Sequence, residues 1–314
     1  MLLYALRNVT EAAARAAYDW IGRGNKEEGD AAAVAAMRHA LAKIDIDGTV
    51  VIGEGEKDEA PELYKGERVG RPDSLFKVDV AVDPLEGTTY LAKGLTNAMA
   101  VIAVTPRGTM FDPGPAFYME KFAAAPAAKG KIDMSWPVAR KLETLAGLLD
   151  KRVADLTVFV LEKPRHRQLV ADIHAAGARV ALYPAGDIAG ALMAAIPDSG
   201  IDALMGTGGT PEGIISACAI RALGGTFLGR IDPQLHIEAR RVRDAGIDTR
   251  RWHTAEELAR TGETYFCATG ITTGLLFEGV ERKRGCDRVQ TLMIAGPTGE
   301  RQLLTSYLPC EERR

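Results

Sequence analysis

Cysteine is scarce and scattered in this chain. Cys218, Cys267, Cys286 and Cys310 lie far apart, with none of the spacings of a zinc ligand set, so reduced thiols are expected rather than a disulfide or metal framework. Long apolar runs are missing too. No stretch approaches the length of a membrane span, and Arg7, Glu11, Arg15 and Asp19 interrupt the amino-terminal segment where a signal peptide would need to be apolar. An excess of one charge is equally absent. A formal net charge of -3 over 314 residues provides neither a polybasic membrane anchor nor a general attraction to nucleic-acid phosphates. Two catalytic signatures do not occur, the Gly-x4-Gly-Lys-Ser/Thr phosphate loop and the Gly-x-Ser-x-Gly nucleophile elbow. What remains is an ordinary globular composition, cytoplasmic by expectation, long enough for two domains or one large one. A small anionic ligand stays open, because local charge matters more than the total.

Helical spacing of Val9, Ala12, Ala13, Ala16, Ala17, Trp20 and Ile21 predicts an amphipathic helix over about residues 9–21. Gly22-Arg23-Gly24-Asn25-Lys26 breaks it, and a second helix is predicted to begin near Asp30. Residues 49–52 read as a buried strand after the Asp47-Gly48 turn, and further strands are expected at 77–83 and 98–105. Beyond Lys151 the texture changes. Apolar runs at 157–161, 179–183 and 201–205 alternate with helical segments at 165–176 and 188–196, the pattern of strand–helix units around a largely parallel sheet. Strands near Tyr265, Leu275 and Val289 could join either sheet. The fold class is therefore α/β (α+β). A boundary falls near residues 150–156, giving an α+β domain over 1–153 and an α/β domain over 154–314.

The chemistry concentrates in one stretch, Val78-Asp79-Val80-Ala81-Val82-Asp83-Pro84-Leu85-Glu86-Gly87-Thr88-Thr89. Valines alternate with Asp79, Ala81 and Asp83, so the strand has one apolar face. Pro84 cannot donate to a ladder, and the strand is expected to stop as Asp83 emerges. Two carboxylates on a tight turn repel unless a cation lies between them, and hard divalent ions take such oxygen ligands. Thr88 beside them offers a hydroxyl to position a water.

Four more strand exits carry polar groups. Ile52-Gly53-Glu54-Gly55-Glu56 is an acidic glycine turn in which Glu54 is a plausible third carboxylate, whereas Glu56, Asp58 and Glu59 read as a solvated run. In Gly206-Thr207-Gly208-Gly209-Thr210-Pro211-Glu212-Gly213 the glycines would free backbone N–H groups at a helix start, and Pro211 suits its first turn. Helix-dipole complementation and metal ligation explain Glu212 about equally well. Lys163-Pro164-Arg165-His166-Arg167 places cations at a helix start, which the dipole disfavours, so a phosphate is the better reason for Lys163 and Arg165. His166 is expected at the surface there. In Ala185-Gly186-Asp187 the aspartate either caps the next helix or accepts from a sugar hydroxyl. Acidic loops beside basic ones form the layout of metal-assisted phosphate-ester hydrolysis.

These segments, with Tyr118-Met119-Glu120-Lys121 and Asp58-Glu59-Ala60-Pro61, resemble in order the class II fructose-1,6-bisphosphatases of the lithium-sensitive sugar-phosphatase and inositol-monophosphatase superfamily. Glu86, where the wider superfamily usually has aspartate, resembles the class II variant in particular. The resemblance implies a layered α-β-α-β-α fold with two sheets and Mn²⁺- or Mg²⁺-dependent hydrolysis of the 1-phosphate of fructose 1,6-bisphosphate. Metal ligands would fall on Asp30, Glu54, Asp83, Glu86 and Glu212, with Thr88, Glu54 and Asp83 at the catalytic step. Substrate contacts would come from Glu86, Gly87, Thr88 and Tyr118, from Lys163, Pro164 and Arg165, and from Ala185, Gly186, Asp187 and Gly209. Two positions depart from the family pattern, Asn25 and Ala185, where acidic residues are usual. The partners implied are a small sugar bisphosphate, with no nucleic acid and no membrane, and a homo-oligomer (dimer or tetramer) as the common default. Competing expectations are a dual fructose/sedoheptulose bisphosphatase, an inositol-phosphate phosphatase, and a non-catalytic sugar-phosphate sensor.

Overall fold

The computed structural model describes residues 2–55 and 62–309; Glu56, Asp58, Glu59, Ala60, Pro61 and Cys310 lie outside the described residues. From the amino terminus run α1 (Leu2–Ala17), α2 (Lys26–Leu41), β1 (Asp47–Ile52), β2 (Arg68–Gly70), β3 (Lys77–Glu86), α3 (Thr88–Lys93) and β4 (Met99–Pro106). The middle supplies β5 (Tyr118–Ala124), α4 (Val138–Leu148), β6 (Thr157–Leu161), α5 (Arg167–Ala175), β7 (Arg179–Tyr183) and α6 (Asp187–Ala195). It continues with β8 (Ala203–Gly209), α7 (Thr210–Leu223), β9 (Thr226–Ile231), α8 (His236–Asp244), β10 (His253–Thr254) and α9 (Ala255–Leu258). The last strands are β11 (Tyr265–Gly270), β12 (Glu281–Lys283), β13 (Cys286–Ala295) and β14 (Glu300–Pro309).

Two compact units result, one from residues 1–110 with 261–314 and one from residues 111–260. A single cut at 153/154 does not describe this division. The reason lies in strand pairing: β5 pairs with β8 and β9, whereas β11 returns to β4. Each unit holds one mixed sheet, so the chain is α/β with two sheets.

In the first unit the sheet runs β12-β13-β11-β4-β3-β1-β2, with β14 also paired to β13. Helix α1 buries Leu3, Leu6, Val9, Ala13, Ala14 and Ala17, a stripe at helical spacing. It begins at Leu2, ahead of the predicted start, and gives way at Tyr18 to a single 3-10 turn. Helix α2 begins at Lys26 rather than Asp30, because the Asn25 side chain caps it by accepting the Glu28 N–H at 3.2 Å. Asp30 therefore sits in the second turn. No strand forms at Leu275. That segment is instead pinned by Asn97, whose Oδ1 accepts the Leu275 N–H at 2.7 Å. Strand β14 was not expected, because its sequence alternates only weakly between apolar and polar residues.

In the second unit the order is β10-β9-β5-β8-β6-β7. Strand β6 is parallel to β7 and β8, as predicted, but β5 is antiparallel to both β8 and β9, so the sheet is mixed rather than largely parallel. Phe122, Val158, Val160 and Met205 of this sheet pack with Leu142 and Leu145 of α4 and Ile173 of α5. Each such side chain contributes about 1.5–3 kcal/mol by leaving water. Helix α6 is buried on all sides and correspondingly apolar after Asp187. Cys218, Cys267 and Cys286 form no disulfide among the described residues, and burial pushes the Cys267 thiol far up. No helix among the described residues is long and apolar enough to cross a membrane.

Candidate active site

In the first unit, β3 does not stop at Asp83. The ladder to β4 pairs Asp83 with Val101 and then Glu86 with Met99, so Pro84 and Leu85 together oppose Ala100. This is a β-bulge, and a bulge is one of the few places where a strand accommodates a residue without an N–H. The Leu85 N–H turns back onto Asp83 Oδ1 at 3.1 Å. The extra residue has a chemical consequence. In a regular strand residues three apart point to opposite faces, but one inserted residue returns them to the same face. Carboxylate oxygens of Asp83 and Glu86 accordingly lie within 4.8 Å of each other. If both are ionised, their repulsion is about 3–4 kcal/mol at an effective dielectric near 20. Such an all-oxygen pair suits a hard divalent cation.

Gly87 then turns the chain into α3 with φ +86°, and a Cβ there would fall 2.8 Å from the Tyr90 ring. Thr88 is thereby the first residue of α3, two positions past Glu86. Glu54 follows β1 directly. Its N–H donates to the Leu63 carbonyl at 3.1 Å, and Gly53 packs so closely that a Cβ would lie 2.0 Å from that same oxygen. Burial raises the Asp30 carboxyl above the ordinary carboxylate range. Neither Asp30 nor Glu54 belongs to the 4.8 Å grouping of Asp83 and Glu86.

In the second unit, residues 206–209 form the end of β8 rather than a loop, pairing with 118–121 of β5. The glycines have a different purpose from the one expected. A Cβ on Gly208 would stand 2.2 Å from Asp187 Oδ2, and one on Gly209 would stand 1.9 Å from Glu212 Oε2. They clear room for carboxylates of the helices on either side of β8 in the chain, Asp187 of α6 and Glu212 of α7, while the Thr210 N–H at the head of α7 donates to the Phe117 carbonyl. Glu212 Oε2 is enclosed with no hydrogen-bond partner among the described residues. Burial raises the Glu212 carboxyl, Asp187 repels it further, and Lys121 opposes both. An orphaned buried carboxylate oxygen is the kind of donor a cation would satisfy.

Lys121 was missed by the sequence reading. It is 1 % exposed and its Nζ pairs with Asp187 Oδ2. The available signal was a lysine in register with Met119 and Ala123 on the buried face of β5, where lysine is seldom found unpaired. Asp187 itself does not cap α6; Gly186, at φ +88°, is the N-cap and Asp187 opens the first turn. Ala185 precedes them in the turn after β7.

Lys163, Pro164 and Arg165 leave β6 through a 3-10 turn. Arg165 lies over the Tyr118 ring, 5.1 Å from its centroid, and its Nε and Nη2 donate to the Thr207 carbonyl at 3.0 and 2.8 Å. The fork thus grips backbone as well as facing outward. Lys163 and Pro164 line a recess of about 390 Å³ with Glu162 and Arg167. His166 is not at the surface. It is 4 % exposed, with Nδ1 on the Leu161 carbonyl, which also accepts the Lys163 N–H, and Nε2 accepting the Thr207 N–H.

The family described as bacterial fructose-1,6-bisphosphatase, glpX-encoded, matches residues 1–307. The chain belongs to this family. Among its relatives, the fructose-1,6-bisphosphatase 1 class 2 of Escherichia coli strain K12 is 45 % identical over 303 residues, covering 92 % of this chain and 89 % of the relative. The class 2 fructose-1,6-bisphosphatase of Shigella flexneri has the same identity and coverage. As a member of this phosphatase family the chain is an enzyme, and its bulged β3 and glycine-ended β8 are the family member's candidate catalytic elements.

Proposed function

We infer that this chain is a phosphoric monoester hydrolase that converts fructose 1,6-bisphosphate to fructose 6-phosphate and inorganic phosphate, a gluconeogenic step. The observation that carries this is the Asp83–Glu86 pair on the β3 bulge, in a chain matched by the bisphosphatase family over residues 1–307. Mn²⁺ or Mg²⁺ would be held by Asp30, Glu54, Asp83, Glu86 and Glu212. The all-oxygen donor set and the orphaned Glu212 Oε2 support that fit. A hard divalent ion, when bound, neutralises phosphate oxygens and acidifies a nearby water.

The chain's own residues supply position. Thr88 accepts a hydrogen bond from the attacking water and aims it at the 1-phosphate, with Gly87 giving the backbone its close approach. The water oxygen bonds to phosphorus as the bond from phosphorus to the C1 oxygen breaks; the water gives up one proton to the medium and the C1 oxygen takes one from it, leaving the sugar alcohol and hydrogen phosphate. Lys163 and Arg165 anchor the second phosphate, so remote binding energy contributes to orientation. Tyr118 packs on the sugar. Asp187 accepts from a sugar hydroxyl, while Pro164, Ala185, Gly186 and Gly209 shape the backbone around it. The enzyme is expected in the cytoplasm as a homo-oligomer.

Phosphate release from fructose 1,6-bisphosphate by the purified protein, with Mn²⁺, with Mg²⁺ and with a chelator, tests the reading. Metal-dependent turnover is expected. Near-normal turnover in both Asp83→Asn and Glu212→Gln would sink the metal assignment. A strong preference for monophosphates would sink the anchor, and stabilisation by ligand without turnover would make the chain a sensor.

A further inference from the structure

Strands β6 and β8 pair only at Val158–Ala203 and Phe159–Leu204, and beyond that their carboxyl ends separate. Strand β6 nevertheless continues beside β7 to Leu161, and β8 continues beside β5 to Gly209. Thr207 is therefore left without a backbone partner on the β6 side. Two side chains of the turn after β6 take that place. The Thr207 carbonyl accepts from Arg165, and the Thr207 N–H donates to His166 Nε2 at 2.8 Å. The other ring nitrogen, Nδ1, lies 2.7 Å from the Leu161 carbonyl. A carbonyl only accepts and an N–H only donates, so the ring is the neutral tautomer with its proton on Nδ1. It spans the two strands as a spacer, Leu161 carbonyl to imidazole to Thr207 N–H. Gly206 makes room for it: a Cβ there would fall 2.9 Å from Nε2.

We propose that His166 is a positioning residue, whose imidazole holds the splayed ends of β6 and β8 in register and so fixes Lys163 and Arg165 for the second phosphate. The functional half rests on the reading of those two residues as the phosphate anchor. A proton on Nε2 would face the Thr207 N–H and break the bridge. The charged groups facing the ring are Arg165, which repels that proton, and Asp187 on α6, which attracts it; Glu162, Lys163 and Arg167 line the adjoining recess. Burial outweighs the attraction and holds the imidazole below the ordinary histidine range, which keeps the bridge intact at neutral pH.

The test compares wild type, His166→Gln and His166→Leu. Glutamine can present an acceptor to the Thr207 N–H; leucine cannot. Loss of that acceptor is expected to raise KM for fructose 1,6-bisphosphate about tenfold in His166→Leu with kcat within about threefold, and His166→Gln should recover most of it. The KM of the wild type should rise on the acid side more steeply than that of His166→Gln, since substrate phosphate titrates equally in both. Equal impairment of the two variants, or identical pH profiles of KM in wild type and His166→Gln, would overturn the proposal. If wild type releases no phosphate, the functional reading fails, and amide hydrogen exchange over residues 206–209 decides the bridge alone. Faster exchange in His166→Leu with wild-type exchange in His166→Gln upholds it, and unchanged exchange in both refutes it. Should His166→Leu not fold, the pH comparison with His166→Gln stands without it.

Discussion

The ends of β3 and β8 reach similar chemistry by opposite means. At β3 one residue too many is inserted into the ladder, and the insertion turns Asp83 and Glu86 to the same face. At β8 side chains are taken away, and the absent Cβ atoms of Gly208 and Gly209 let Asp187 and Glu212 fold back onto the strand. The β8 end also brings its own counter-charge, because Lys121 from the neighbouring strand pairs with Asp187. The β3 end sets two carboxylates side by side. One end is thus organised by irregular backbone, the other by missing volume and a buried cation.

Removing that cation should have the largest effect. Lys121→Met leaves Asp187 buried without its partner and is expected to cost about 3–5 kcal/mol in urea denaturation. The double variant Lys121→Met/Asp187→Leu should regain most of this, and a double variant as unstable as the single one would show that the β8 end is not self-neutralised. At β3 the expected loss is in rate instead. Asp83→Asn should lower metal-dependent phosphate release a hundredfold or more, about 3 kcal/mol, with a melting temperature near that of wild type. A smaller effect sharpens the volume argument. Gly209→Ala forces the Glu212 carboxylate aside and is expected to reduce kcat/KM by about 10- to 30-fold, roughly 1.4–2 kcal/mol. Wild-type kinetics in that variant would break the comparison at β8.

The smallest expected change is in pH dependence. His166 is held below the ordinary histidine range, so the unfolded chain binds its proton at a higher pH than the folded one. Its contribution to stability is full above the ordinary histidine value and is lost as pH falls from there toward the lower folded value. Melting curves across that window should fall less in His166→Gln than in wild type, and parallel curves would rule the contribution out.

Much of the β3 end was legible in sequence because its chemistry is local. Alternating valines mark the strand, and Asp83, Pro84, Glu86, Gly87 and Thr88 follow one another. The one error there, a strand ending at Asp83, came from treating Pro84 as a stop when a bulge admits it. The β8 end was read less well because its meaning is tertiary. Nothing near Gly208 says that Asp187 will occupy its missing Cβ, and nothing near Lys121 names its partner 66 positions on. His166 was misjudged for a related reason, since a helix start looks exposed until the strands beside it diverge. The division into units was hidden in the same way, as it depends on β4 meeting β11 rather than on composition.

That last pairing bears on how the protein is made. Strand β4 is buried along nearly its whole length, and its partner β11 emerges from the ribosome only after roughly 160 more residues, about 8–30 s at typical elongation rates. During that interval a run of Met, Ala, Val and Ile has an unfilled edge, while the second unit can complete itself in between. The nascent chain thus carries a sticky, half-built sheet through about half of its synthesis, and a product truncated at residue 260 would keep that edge permanently open to other chains.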